Sequence, residues 1–65
     1  MFEFTKRELE ILTLAAQGFK NKEIGKQTFI STHTVKAHMK SIMQKLGVTN
    51  RTEAAYIAIK NHIIE

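Results

Sequence analysis

The stretch NKEIGKQTFISTHTVKAHMK, residues 21–40, decides how this chain folds. Two helical patterns flank the break TFIS. The first runs from about Lys22 to Thr28, with Asn21 as the expected N-cap, because a carboxamide oxygen there can accept one of the helix's free backbone N–H groups. Ile24 alone is clearly set inward. Gly25 in mid-helix costs roughly 1 kcal/mol against alanine, so another helix is expected to come close at that point. The second pattern is better marked. Ser31 caps it, Ile30 and Val35 have the spacing of a hydrophobic staple, and Gly47 closes it with Val48 placed to touch Met43. At about 100° per residue, Val35, Met39, Ile42 and Leu46 form one narrow apolar seam. His33, Lys36, Ala37, Lys40 and Gln44 fall on the far side. This helix is expected to give one face to a core and keep the other free.

Outward from that unit, the punctuation predicts two more helices. Thr5 and Glu8 form a capping box, and Phe4 and Leu9 stand where a staple needs them. Leu9, Leu12 and Ala16 then recur at helical spacing, with Ile11 and Ala15 widening the stripe up to Gly18. At the other end, Asn50 and Glu53 fit a variant capping box for a C-terminal helix over about 51–62. Its apolar residues make two stripes, one of Ala55, Tyr56, Ile59 and Ile63, the other of Ala54, Ile57 and Ile64. A domain this small cannot bury both stripes in one core, so one of them is expected to meet a partner. The fold class is all-α: residues 1–65 as one compact four-helix domain, with a helix-turn-helix over about 21–40.

Composition narrows the function. A chain of 65 residues holds one domain, with no room for a cleft between lobes. It has no cysteine, hence no disulfide or thiolate chemistry. The longest apolar run, AAYIAI (54–59), is far short of the ~20 residues a membrane span needs, which places the expectation in the cytoplasm with no membrane partner. His33 and His38 lie about 140° apart around their helix and cannot share an ion, and His62 has no thiol or Asp beside it, so no metal or other cofactor is expected. Met39 and Met43 read as core fillers. The hydroxyl side chains lack a histidine–acid arrangement, and no catalytic residues are expected.

Charge points elsewhere. Net charge is +4, but Lys20 to Lys45 holds six lysines against one acid, Glu23. A local excess of this kind attracts polyanions. An α-helix fits the major groove of B-DNA, where base edges offer distinguishable donors and acceptors. Lys36 and Lys40, one turn apart, can both reach guanine edges or phosphates, and Ala37 between them lets the backbone come close. Lys36, Ala37, Lys40 and His33 are therefore the expected base readers. Asn21, Lys22, Thr32, Thr34, Ser41 and Lys45 are the expected phosphate contacts, helped by helix N-termini. A helical protein-interaction adapter, with its lysines merely solvated, is the alternative. Against it, the basic residues share the outward helix face while the apolar surplus lies on the last helix.

The residues FTKRELEIL (4–12), Gly18, NKEIG (21–25), IS (30–31), TVKAH (34–38), KLGV (45–48) and NRTEAA (50–55) together give the chain a resemblance to the DNA-binding domain of the LuxR/NarL/FixJ family of bacterial transcription regulators. They cover nearly the whole chain in order and at family spacing. The resemblance implies a third helix in the major groove of double-stranded DNA, and a last helix that pairs two copies on a roughly two-fold site. Tyr56, Ile59, Lys60 and Ile63 are the expected homodimer surface. It also implies a receiver or sensor domain ahead of the domain and a contact with RNA polymerase as partner relationships. The chain begins at Met1 with no such domain, as an excised fragment or a stand-alone regulator would. Thr28 departs from the family's usual leucine and Gly25 from its usual alanine, and both are expected to loosen the second helix.

Overall fold

Local signals set the start of each helix. The computed structural model describes residues 3–65; Met1 and Phe2, counted within the domain above, lie outside the described residues. The helices are α1 (Lys6–Ala16), α2 (Asn21–Thr28), α3 (Thr32–Leu46) and α4 (Arg51–Lys60). Thr5 and Glu8 form the expected capping box on α1, Ser31 accepts from Thr34 N–H at 3.0 Å, and Asn50 accepts from Glu53 N–H at 2.8 Å. The start of α2 corrects the sequence reading by one residue. Lys20 is the extended cap residue, Asn21 is already helical, and the Glu23 carboxylate accepts Lys20 N–H at 2.8 Å. That bond closes the N–H of the cap residue itself, which is a different role from the acceptor for helical N–H groups expected of the Asn21 side chain.

The ends share one solution. In each, an N–H reaches back five residues: Phe19 to Leu14, Ile30 to Gly25, Val48 to Met43 and Ile63 to Ala58. That bond requires a left-handed residue just before it. Gly18 and Gly47 occupy two of these places; Phe29 (φ 61°) and His62 (φ 56°) occupy the others. A non-glycine residue there costs roughly 1–2 kcal/mol. His62 also corrects the extent of α4, which stops at Lys60 rather than running on to about 62. Ile63 and Ile64 lie beyond the helix, folded back toward Ala58.

The core is built where α1 and α3 meet the other helices. Both pack on all three others, whereas α2 and α4 do not pack on each other. Val35, Met39, Ile42 and Leu46 are buried as the seam predicts, against Ile11, Leu12, Ile24, Ala54 and Ala58. Each fully buried aliphatic side chain contributes about 1.5–3 kcal/mol. The stripe on α1 is centred differently from the expectation: Ile11, Leu12 and Ala15 are buried while Leu9 and Ala16 are half-buried, and the buried face includes Glu8.

Glu8 is therefore a carboxylate inside the domain, 4% exposed. Its oxygens accept Thr5 N–H at 2.9 Å, Lys45 Nζ at 2.6 Å and Ser41 Oγ at 3.0 Å. Burial pushes this carboxyl up, but the Lys45 ammonium, the Thr5 N–H and the Ser41 hydroxyl outweigh that and hold it down at about 2, against an ordinary value of 4.5. A lowered folded-state value adds stability above the unfolded value and loses it as the proton returns. Denaturant titrations across pH should show stability steady above pH 4.5 and falling progressively toward pH 2. Glu8→Gln should cost roughly 2 kcal/mol at neutral pH and flatten that slope. An unchanged slope in the variant would show that other groups control acid unfolding.

Candidate nucleic-acid interface

Anchoring of α3 on its seam leaves the opposite face open. His33, Lys36, Ala37 and Lys40 are all exposed, as is Gln44 one turn beyond Lys40. These side chains lie between about 100° and 200° around the helix from Val35. The structure thus brings the four expected base-reading residues onto one surface, on a helix capped at both ends by Ser31 and Gly47.

The six expected phosphate contacts divide. Lys22 and Thr32 are exposed. Thr34 is half-buried, and its hydroxyl accepts Ser31 Oγ–H at 2.9 Å within the cap. Ser41 and Lys45 turn the other way, onto Glu8, and Lys45 Nζ also lies 5.6 Å from the centre of the Phe4 ring. They belong to the seam between α1 and α3 and do not join Lys36 and Lys40. Asn21 is half-buried, with its side-chain oxygen accepting Arg51 Nη1–H at 2.7 Å.

Arg51 is a residue that sequence reasoning passed over. Its guanidinium donates to the Phe19 carbonyl and to Asn21, so one side chain spans the otherwise separate α2 and α4. The planar fork of arginine suits two acceptors held at once. The only signal was its place at the start of α4, which does not reveal a partner 30 residues away. The brace sets the starts of α2 and α4 around a hollow of about 360 Å³, lined by Asn21, Lys36, Met39, Met43, Thr49, Asn50 and Arg51. The first residues of α2 and α4 and a lysine thus border one concavity beside two methionines, and helix starts with a lysine nearby favour anions.

On α4 the second stripe divides as well. Tyr56 and Ile59 are 61% and 52% exposed, and Lys60 Nζ lies 5.6 Å from the centre of the Tyr56 ring. Ile63 is half-buried against the core and lies outside the helix, so it shares less of this outward patch than the spacing implied. His38, five residues from His33, is half-buried at the edge of the α3 seam. Among the described residues, no three His, Asp or Glu side chains converge as a metal site would require. No helix there is long and apolar enough to cross a membrane.

Comparison with known proteins agrees with this architecture. Residues 3–58 match the family described as bacterial regulatory proteins, luxR family. The chain is 55% identical over 60 residues to the transcriptional regulatory protein LiaR of Bacillus subtilis, covering 92% of the chain and 28% of that protein. It is 48% identical over 61 residues to the oxygen regulatory protein NreC of Staphylococcus aureus, covering 94% of the chain and again 28% of the relative. A third relative, the uncharacterized transcriptional regulatory protein YxjL of Bacillus subtilis, is 45% identical over 62 residues, 95% of the chain and 28% of its own length. The chain thus spans a little over a quarter of the relatives it matches.

The division of the lysines has a measurable consequence. Lys45→Ala should lower unfolding free energy by about 1–2 kcal/mol, because Glu8 is left buried without its cation. Lys40→Ala should stay within about 0.5 kcal/mol of the parent, as exposed substitutions do. Urea denaturation of the two variants separates them, and equal stabilities would show that the Lys45–Glu8 pair does not support the fold.

Proposed function

The chain belongs to the luxR family of bacterial regulatory proteins, and from that premise we propose that it binds duplex DNA sequence-specifically, with α3 in the major groove. The observation that carries this reading is the exposed set Lys36, Ala37, Lys40 and His33 on the face of α3 opposite its buried seam. Lys36 and Lys40 donate to guanine edges, Ala37 permits close approach and a methyl contact to thymine, and His33 reads from the first turn. Lys22, Thr32, Thr34 and the N–H groups at the starts of α2 and α4 hold phosphates and fix register. Asn21 shapes that hollow through Arg51. Ser41 and Lys45 serve the same end indirectly, by holding α3 on α1.

The domain performs no chemistry; positioning is its mechanism. Two copies pair through Tyr56, Ile59 and Lys60, with Ile63 at the edge, on half-sites centred about one helical turn, ~34 Å, apart. Within a longer regulator of the kind the relatives represent, a receiver domain would control this pairing, and a contact with RNA polymerase in the cytoplasm would transmit it to transcription.

Selection from random duplex DNA at two salt concentrations tests the reading, and an enriched palindrome is the expected result. On that site Lys36→Ala or Lys40→Ala should each cost ~1–3 kcal/mol, while Lys22→Ala should weaken all sequences alike and shallow the salt slope by about 0.9. Equal losses on selected and random DNA for both α3 lysines would defeat base reading. Ile59→Glu should abolish cooperative two-site binding in a folded domain, and unchanged cooperativity would remove α4 from the pairing.

A further inference from the structure

Phe29 stands out in the turn between α2 and α3. Its backbone is left-handed, at φ 61° and ψ 38°, and its side chain is 93% exposed. Glycine holds the matching place after α1 and α3. Asn, Asp and His tolerate that conformation, whereas a bulky aromatic there is an outlier. Its ring buries almost nothing that would offset the strain, and such an outlier points to a use outside the fold.

The surroundings decide what kind of use. Phe29 closes α2, so it sits at the negative end of that helix, and a phenyl ring has no donor for a phosphate. The helix ends that favour anions lie instead around Lys36 and Arg51. An open groove of about 700 Å³ runs along α1 to Thr28, the residue before Phe29, with Leu9 and Leu14 in its lining. Lys6 and Arg7 stand at its edge; Glu10, the single acid in its lining, is paired with Arg7 at 3.1 Å. Lys26, one turn before Phe29, is exposed. An aromatic anchor with a cationic border is the composition of a protein-binding surface, and complementarity then asks for an acidic partner.

We propose that Phe29 and the α1–α2 groove form a docking surface for an acidic protein segment. The ring enters an apolar recess of that segment, and Lys6 and Lys26 meet its carboxylates. The assignment does not depend on base reading by α3.

Random linear peptides displayed on phage, selected on the immobilised 65-residue chain, test it. The expected winners are acidic and carry aliphatic or aromatic residues. Synthetic copies should bind about tenfold or more weakly to Phe29→Ala and Phe29→Asn, retain affinity for Phe29→Tyr, and weaken with Lys6→Glu or Lys26→Glu. Both loss variants should melt no lower than the parent and keep its affinity for duplex DNA. No enrichment, neutral or basic winners, or affinities indifferent to Phe29 would overturn the proposal. So would a lower melting temperature in Phe29→Asn, which gives the ring a structural role, or lost DNA binding, which puts it on the nucleic acid. A parent chain that fails on DNA while the peptide result holds would count against the DNA reading alone.

Discussion

A single carboxylate, Glu8, sets how α3 lies on α1, and the rest of the surface follows from it. Its oxygens accept the N–H that begins α1 and, from across the interface, Ser41 and Lys45 of α3. A buried carboxylate is tolerated only when its lone pairs are filled, so α3 cannot rotate about its axis without stranding a charge. Aliphatic packing of Val35, Met39, Ile42 and Leu46 supplies most of the attraction, but such packing is nearly indifferent to small rotations. The ion pair and its hydroxyl companion supply direction. They draw Lys45 inward and, by the same geometry, leave Lys36 and Lys40 outward.

That division explains what could be read from the chain and what could not. Caps depend on residues three or four apart, so Thr5 with Glu8, Ser31 and Asn50 announced themselves, and Gly47 marked the end of α3. The seam of α3 was legible for the same reason, since helical periodicity is a local property. Which lysines face solvent was legible only in part. Charge does not say that Lys45 meets an acid 37 positions earlier while Lys40 meets none. Arg51 was missed likewise, its acceptors lying about 30 residues away. The end of α4 was misread because His62, not glycine, takes the left-handed turn and leaves no sequence mark.

The two braces are complementary. Glu8 fixes the roll of α3 against α1, and Arg51 fixes where α2 and α4 begin relative to each other. Together they hold three features in one frame: the lysine face of α3 and the two helix starts that open beside Lys36. Neither brace uses a residue of the outward α3 face. Substitutions at His33, Ala37 and Gln44, all exposed, would therefore leave both braces in place.

The angle between α2 and α3 rests on backbone more than on side chains. Thr28 and Gly25 would be expected to loosen α2, yet both are consumed in tightening its end. A β-carbon on Gly25 would lie 2.7 Å from the Ile30 carbonyl oxygen and 3.6 Å from the Thr32 nitrogen, so the close neighbours are the turn's backbone and the start of α3. Gly25 in turn accepts Ile30 N–H at 3.0 Å. The Thr28 hydroxyl donates to Ile24 at 2.7 Å, and Arg7 closes the Thr28 carbonyl at 2.8 Å. With leucine at 28 the same corner would be held by apolar burial; here hydrogen bonds hold it, and their directionality is what a small domain needs to aim a helix. Phe29 takes the left-handed place that the bond from Ile30 N–H to Gly25 requires, with its ring left exposed.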